Sequence, residues 1–278
     1  MKLKYYLLGL PLVALAATSC GHRGDAGSDA ADVITEFDIN QKLVSADKSY
    51  RVDMDYGTVY LELYTSVQWP EKLGGNDISV LRDSLLNFAY GDTVSTSVRD
   101  AVVKFLSDTS MVEGALNIAP VDTLPADSMT YFTSVTASVT DLDEEMVTYQ
   151  VVTSQYLGGA HPLTTSHPFT FDFAECKVLD NSNIFLPRTP TDSIMPVITE
   201  ALARQLGVPA RGLERAGVFV SQLTYPGKPY ISNNTLYFHY DPYEIGPYAM
   251  GAVDVAVYPY ELDAFLRPEV KKLFDQGF

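Results

Sequence analysis

Strict alternation of apolar and polar residues, in run after run between Tyr50 and Val257, is the feature that most limits what this chain can fold into. A period of two puts every second side chain on one face of an extended strand, and such strands must pair into sheets. Tyr50–Tyr56 alternates, and after Gly57 a second run sets Val59, Leu61 and Leu63 against Tyr60, Glu62 and Tyr64. These predict two paired strands with one wet side. Tyr131, Thr133, Val135, Ala137 and Val139 share a face of a longer strand, Asp141–Glu144 turns it, and Val147, Tyr149 and Val151 share a face of the return. Phe169, Phe171 and Phe173 then give a core-facing stripe. Asn233-Asn234 is a turn signal before Leu236, Phe238 and Tyr240, and Val253, Val255 and Val257 make a last strand.

Helical spacing is rarer. Ile78, Leu81, Leu85 and Phe88 follow Asp77, a plausible N-cap, and Val98, Val102, Phe105 and Leu106 suggest a second helix over 96–107. A third helix starts near Asp192, carries Ile194, Ile198 and Leu202 inward, and stops at Gly207-Val208-Pro209. Residues from Pro259 to about Leu266 read as a C-terminal helix that Pro268 restarts. Hairpins outnumber β-α-β alternation, so the expected class is α+β: antiparallel twisted sheet or sheets with helices packed on one face.

Two stretches break the alternation in a way that suits binding. Tyr156-Leu157-Gly158-Gly159-Ala160-His161-Pro162 joins two strands. The glycines permit positive φ, and Pro162 stiffens the corner that presents the His161 imidazole. The second stretch, Tyr240 to Gly251, is dense in Pro, Gly and Tyr: Pro242 and Pro247 stiffen it, Tyr240, Tyr243 and Tyr248 offer rings, and Glu244 adds an acceptor. Tyr156, Gly158, Gly159, His161, Pro162, Tyr240, Tyr243, Glu244 and Tyr248 are therefore the candidate binding residues. Each has a plainer reading too, as a corner lock or a plug for the end of a sheet.

The N-terminus reads as a targeting signal. Lys2 and Lys4 precede a short apolar run, Leu7 to Ala17, which ends in Ala17-Thr18-Ser19-Cys20. Small residues before a cysteine resemble a bacterial lipobox, which makes residues 1–19 a lipoprotein signal peptide and Cys20 the lipid attachment point. Residues 20–48 are then a flexible tether, Gly/Ala/Asp-rich at its start. Removing the signal takes the 19 basic residues to 17 against 35 acidic, and the formal charge from −16 to −18. That excess argues against nucleic acid and against docking on anionic headgroups, while a basic protein would be attracted. With Cys20 lipidated, Cys176 has no disulfide partner and reads as structural. The four histidines, His22, His161, His167 and His239, lack metal-ligand spacing, so no metal or cofactor is expected. No Gly-x-Ser-x-Gly, phosphate-loop or zinc-protease motif is present in the sequence.

The Tyr156–Pro162 corner, followed about 75 residues later by Phe238-x-Tyr240-x-Pro242-Tyr243-Glu244-Ile245-Gly246-Pro247-Tyr248-Ala249-x-Gly251 and then Pro259-Tyr260-x-x-Leu262, resembles the RsiV-type C-terminal domain, a bacterial extracytoplasmic family of largely unknown function. Residues 49–140 are similar in pattern to the domain at the N-terminus of PdaC-type deacetylases, which leaves 141–278 as the RsiV-like unit. The resemblance implies an α+β fold outside a membrane; in RsiV-like anti-sigma factors the domain is a sensor that receives lysozyme. With no sigma-binding segment before Leu7, no transmembrane helix and no deacetylase domain, neither signalling nor deacetylation is expected to carry over. The expectation is a lipid-tethered, non-catalytic binding module at the periplasmic or cell-surface side of the envelope, for a basic protein or a cell-wall ligand. A hydrolase of cell-wall sugars or peptides acting through His161, and a structural envelope lipoprotein, are the alternatives.

Overall fold

The computed structural model describes residues 4–7 and 39–274, so Cys20, the lipobox residues and most of the tether lie outside the described residues. An eight-stranded sheet carries the first half of the chain. It runs in the order β1 (Lys4–Leu7), β2 (Ile39–Met54), β3 (Gly57–Leu73), β5 (Thr130–Leu142), β6 (Met146–Tyr156), β7 (Leu163–Asp172) and β8 (Lys177–Val178), and β4 (Asn117–Val121) pairs with the far end of β2. Backbone pairing places β1, inside the predicted leader, against Lys42–Ser45. Neighbours are antiparallel except β3 and β5, which are parallel, Tyr60 lying beside Thr130.

Alternation explains the layering. Val59, Leu61 and Leu63 from β3 share a core with Val44, Ala46 and Val52 from β2, under α2 (Val98–Phe105). Val147, Tyr149, Val151, Phe169 and Phe171 form the adjoining core with Leu81, Leu85 and Ala89 of α1 (Ser79–Tyr90). Both helices thus lie on one face, as the periodicity predicts. Asp77 is not the N-cap of α1: that position is Ile78, without a side-chain cap, and the Asp77 carboxylate accepts from the Ser79 amide at 2.9 Å from one residue further out. The Ser97 hydroxyl caps α2, and Gly91 closes α1 in the left-handed conformation.

The second half of the chain builds its own core. A three-stranded antiparallel sheet, β11 (Val253–Val257), β10 (Thr235–Tyr240) and β9 (Lys228–Ser232), packs with α3 (Thr191–Gln205) and α4 (Pro268–Lys272). Asn233 and Asn234 turn β9 into β10 with positive φ at both, the geometry that matches strand twist. No helix of the described residues is long and apolar enough to cross a membrane.

Several sequence expectations need correction. The tether was expected to run to residue 48, but β2 begins at Ile39, and residues 39–48 pair with β3. The expected boundary between 140 and 141 falls inside the β5–β6 hairpin, where Asp141 pairs with Thr148, so the large sheet continues through it. The break in packing comes after β8, where the chain passes to the second core. Residues 259–266 are not a helix: Pro259–Glu261 is one 3-10 turn, and Leu266 bridges to Phe185 in extended pairing.

The small sheet meets the large one through buried threonines. The Ile231 amide donates to Thr170 Oγ1 at 2.8 Å, Thr170 Oγ1 lies 2.7 Å from Thr148 Oγ1, and Thr148 donates to the Ile231 carbonyl at 2.6 Å. The ring closes only if Thr170 donates to Thr148. Both threonines have no solvent exposure. We expect Thr170→Val, which keeps the shape but orphans the Ile231 amide, to cost about 1–3 kcal/mol in urea unfolding; a change within a few tenths would mean that this ring is dispensable.

Candidate functional site

The two stretches singled out in the sequence meet in space. The His161 ring stacks on Tyr248, centroids 3.7 Å apart at 18°, and Tyr243 lies beside Tyr248 at 5.7 Å. His161 Nδ1 faces the Pro162 carbonyl at 3.0 Å and must donate, because that oxygen only accepts. Nε2 of the neutral ring is then free to accept from the Tyr243 hydroxyl, 3.4 Å away. The Tyr248 hydroxyl donates to the same Pro162 carbonyl at 2.9 Å. The result is an exposed aromatic cluster, with Tyr243 half in solvent. Tyr243 sits at φ 73°, unusual for a side chain with a Cβ, so the loop holds it against local preference.

The other candidates divide. Tyr156 donates to the Gly159 carbonyl at 3.1 Å and staples the corner from within. Gly158 has φ 93°, which strains any residue with a Cβ, and a Cβ there would also come 3.2 Å from the Tyr131 hydroxyl and push that ring aside by a few tenths of an ångström. Gly159, at φ 106°, is open on that side. Glu244 accepts from the Asp241 amide at 2.7 Å and closes the loop on itself. Tyr240 is a correction: it is fully buried, its hydroxyl donates to the Tyr225 carbonyl at 2.8 Å, and it can touch no partner. It belongs to the inward-facing stripe of β10, with Leu236 and Phe238. Cys176 sits in the predicted strand-end turn, at φ 49°.

Behind the aromatic cluster lies a charge network that sequence reasoning missed. His239 is 1% exposed and faces carboxylates on both sides, Asp254 2.7 Å from Nδ1 and Asp241 3.2 Å from Nε2. Both ring nitrogens therefore donate, as in an imidazolium. Burial opposes that charge, but the bonds to Asp241 and Asp254 prevail and raise the His239 pKa. Asp241 also pairs with Lys228 and accepts the Ser166 amide at 2.6 Å, while Lys228 donates to the Ser166 carbonyl at 2.9 Å. Burial works against the Asp241 carboxylate as well, yet bonds from His239, Lys228 and Ser166 hold its pKa down to about 2. The signal available in the sequence was His239-x-Asp241 at the end of an apolar strand, with Asp254 opposite His239 in the β10–β11 register.

Close by, His167 behaves oppositely. Its ring stacks on Phe88 at 3.9 Å. Burial, with Lys228 adding repulsion, pushes its pKa down to about 4. Among the described residues no group of three or more His, Cys, Asp or Glu side chains is placed to hold a metal ion. Nor is any described histidine hydrogen-bonded to a Ser, Thr or Cys side chain.

Comparison with known proteins places the second core. Residues 182–260 match the family described as a protein of unknown function, DUF3298. That segment holds α3, the small sheet and Tyr248, but not the His161 corner. The structure is similar to a DUF3298 family member from Bacteroides fragilis, TM-score 0.64 at 16% identity, covering 84% of this chain and 96% of the other. It is also similar to a DUF3298 family protein from Pseudomonas aeruginosa, TM-score 0.56 at 14% identity over the same shares. Likeness at such identities shows the shared α+β fold. A Mycobacterium tuberculosis protein named Esterase Rv3036c is 33% identical over 104 residues, 37% of this chain and 44% of that protein. The chain thus spans less than half the length of that curated relative.

Two outcomes test the network. Asp241→Asn leaves Lys228 and His239 facing one carboxylate fewer, and we expect a loss of about 3 kcal/mol in chemical unfolding. His167, held neutral by the fold, contributes stability that is present above its ordinary pKa near 6.5 and lost as pH falls through that value toward about 4. We expect His167→Gln to flatten the fall in unfolding free energy over that window; an unchanged slope would refute the assignment.

Proposed function

We propose that this chain is a non-catalytic binding module, tethered to the bacterial envelope by lipid on Cys20, that uses the His161–Tyr243–Tyr248 cluster to engage a cationic protein. The observation that carries the reading is the meeting of two separately recognisable motifs on one exposed, pre-formed aromatic face. Rigid Tyr rings give contact area at low entropic cost. The formal charge of −18 once residues 1–19 and their two lysines are gone (17 basic against 35 acidic) supplies long-range attraction for a basic partner. The likeness of these motifs to the RsiV-type domain, and of the first half to the PdaC-type N-terminal domain, adds a lysozyme-like protein as the partner to try first. On this reading cleavage before the lipidated Cys20 removes residues 1–19 and opens the stretch of β2 edge, Lys42–Ser45, that Lys4–Leu7 cover.

A second reading, hydrolysis of an ester, is favoured by the relative named an esterase. Against it stands the geometry of His161, whose two nitrogens are engaged by the Pro162 carbonyl and the Tyr243 hydroxyl, with no serine, threonine or cysteine hydrogen-bonded to it.

Titration of the chain with a lysozyme by surface plasmon resonance separates the two. We expect affinity to fall about tenfold between 50 and 300 mM salt, because surface charges are screened beyond about a Debye length, and to fall again in Tyr243→Ala. Salt-indifferent or absent binding would discard the reading, and turnover of a p-nitrophenyl ester abolished by His161→Ala would replace it with the second.

A further inference from the structure

Apart from the aromatic cluster, a hollow of about 460 Å³ opens between α1, the β7–β8 segment and the stretch leading into β9. Its size falls in the range of small-molecule sites. Phe88, His167, Phe169 and Tyr225 supply aromatic walls, and Lys228 and Glu244 are charged groups on its lining. Phe88 and Phe169 meet at 4.9 Å, so the stacked Phe88–His167 pair and Phe169 form one continuous wall.

The electrostatics of this lining are one-sided. Lys228 is already matched by Asp241 and by the Ser166 carbonyl, so it has little to offer an anion. His167 stays neutral at ordinary pH, since burial holds its pKa near 4. Glu244 faces no cation among the described residues: its carboxylate accepts from the Asp241 amide at 2.7 Å and from the Tyr225 hydroxyl, both uncharged donors. Asp180 adds a second negative charge at the rim, although its Oδ1 is engaged by Ser182 and by the Asn183 amide. A ligand that fills the space must therefore be apolar and flat in its body and positive or neutral, never negative, at its polar end. Ring walls reinforce that sign, because aromatic faces attract cations.

We propose that this hollow is a binding site for a small aromatic amine, with its ring against Phe88, His167 and Tyr225 and its ammonium at Glu244. The hollow is separate from the His161–Tyr248 stack, with Glu244, the residue after Tyr243, as the loop residue that faces it. Tryptamine and indole-3-acetate share a ring and differ in the sign of the side chain, so calorimetric titration of the full chain with each at pH 7 tests the assignment. We expect tryptamine to bind about tenfold more tightly than indole-3-acetate, the scale of one local charge contact. Glu244→Gln, which keeps an acceptor for the Asp241 amide, should narrow that gap to about threefold or less. Tyr225→Ala, which removes a ring 44% exposed together with its hydroxyl bond to Glu244, should weaken tryptamine binding in protein that still unfolds cooperatively. Equal affinity for the two compounds, no tryptamine binding up to about 5 mM, or affinities unmoved by both substitutions in folded protein would each overturn the proposal.

Discussion

The Asp241 carboxylate is the contact on which the arrangement of the two cores rests. It sits at the end of β10, yet it bonds the Ser166 amide of β7, the Lys228 ammonium of β9 and the buried His239 imidazole. Ser166 has its amide and its carbonyl taken by Asp241 and Lys228, so an ion pair stands where a neighbouring strand would be. An unpaired strand edge is a liability that invites other chains. Along β7 and the corner before it, the same service recurs every fourth residue: the Pro162 carbonyl receives Tyr248, Ser166 receives the ion pair, and the Thr170 carbonyl receives the Leu179 amide. Pro168, between them, has no amide to satisfy. The second core is thereby fixed along the edge of the first by polar contacts of high directionality, in addition to the Thr148–Thr170–Ile231 ring.

Much of this was legible in the alternation. The Val59–Leu63, Tyr131–Val139, Val147–Val151 and Phe169–Phe173 runs all became strands that turn those residues inward, because one face of each is covered by α1 or α2. The α+β class followed. What escaped was set by contacts distant in sequence. The edge strand β9 contains Pro229, which argues against a central strand but is tolerated at an edge, where the missing amide faces no partner. The Pro259 segment has a helix-like opening, but Leu266 pairs with Phe185, some eighty residues earlier, and extended pairing overrides local propensity.

The candidate site was legible in its parts and not in its assembly. His161 and the Tyr243–Tyr248 loop were each marked by Gly and Pro punctuation, but nothing local says that they stack. Tyr240 shows the converse: it stands among loop tyrosines in the sequence, yet its place in the Leu236–Phe238–Tyr240 stripe turns it inward. The His239–Asp241–Lys228 network was missed because charged residues near a strand end read as solvated by default. Only the register that sets His239 opposite Asp254 reveals that the imidazole is enclosed.

The parallel pairing of β3 with β5 carries a kinetic consequence. Tyr60 must find Thr130, and Val67 must find Ala137, across an excursion that includes both helices of the first core and β4. Hairpins such as β5–β6 close over short loops and form early, whereas this junction waits on a long loop closure. Refolding should therefore pass its slowest conformational step there, and the half-made sheet that precedes it is the species most exposed to self-association.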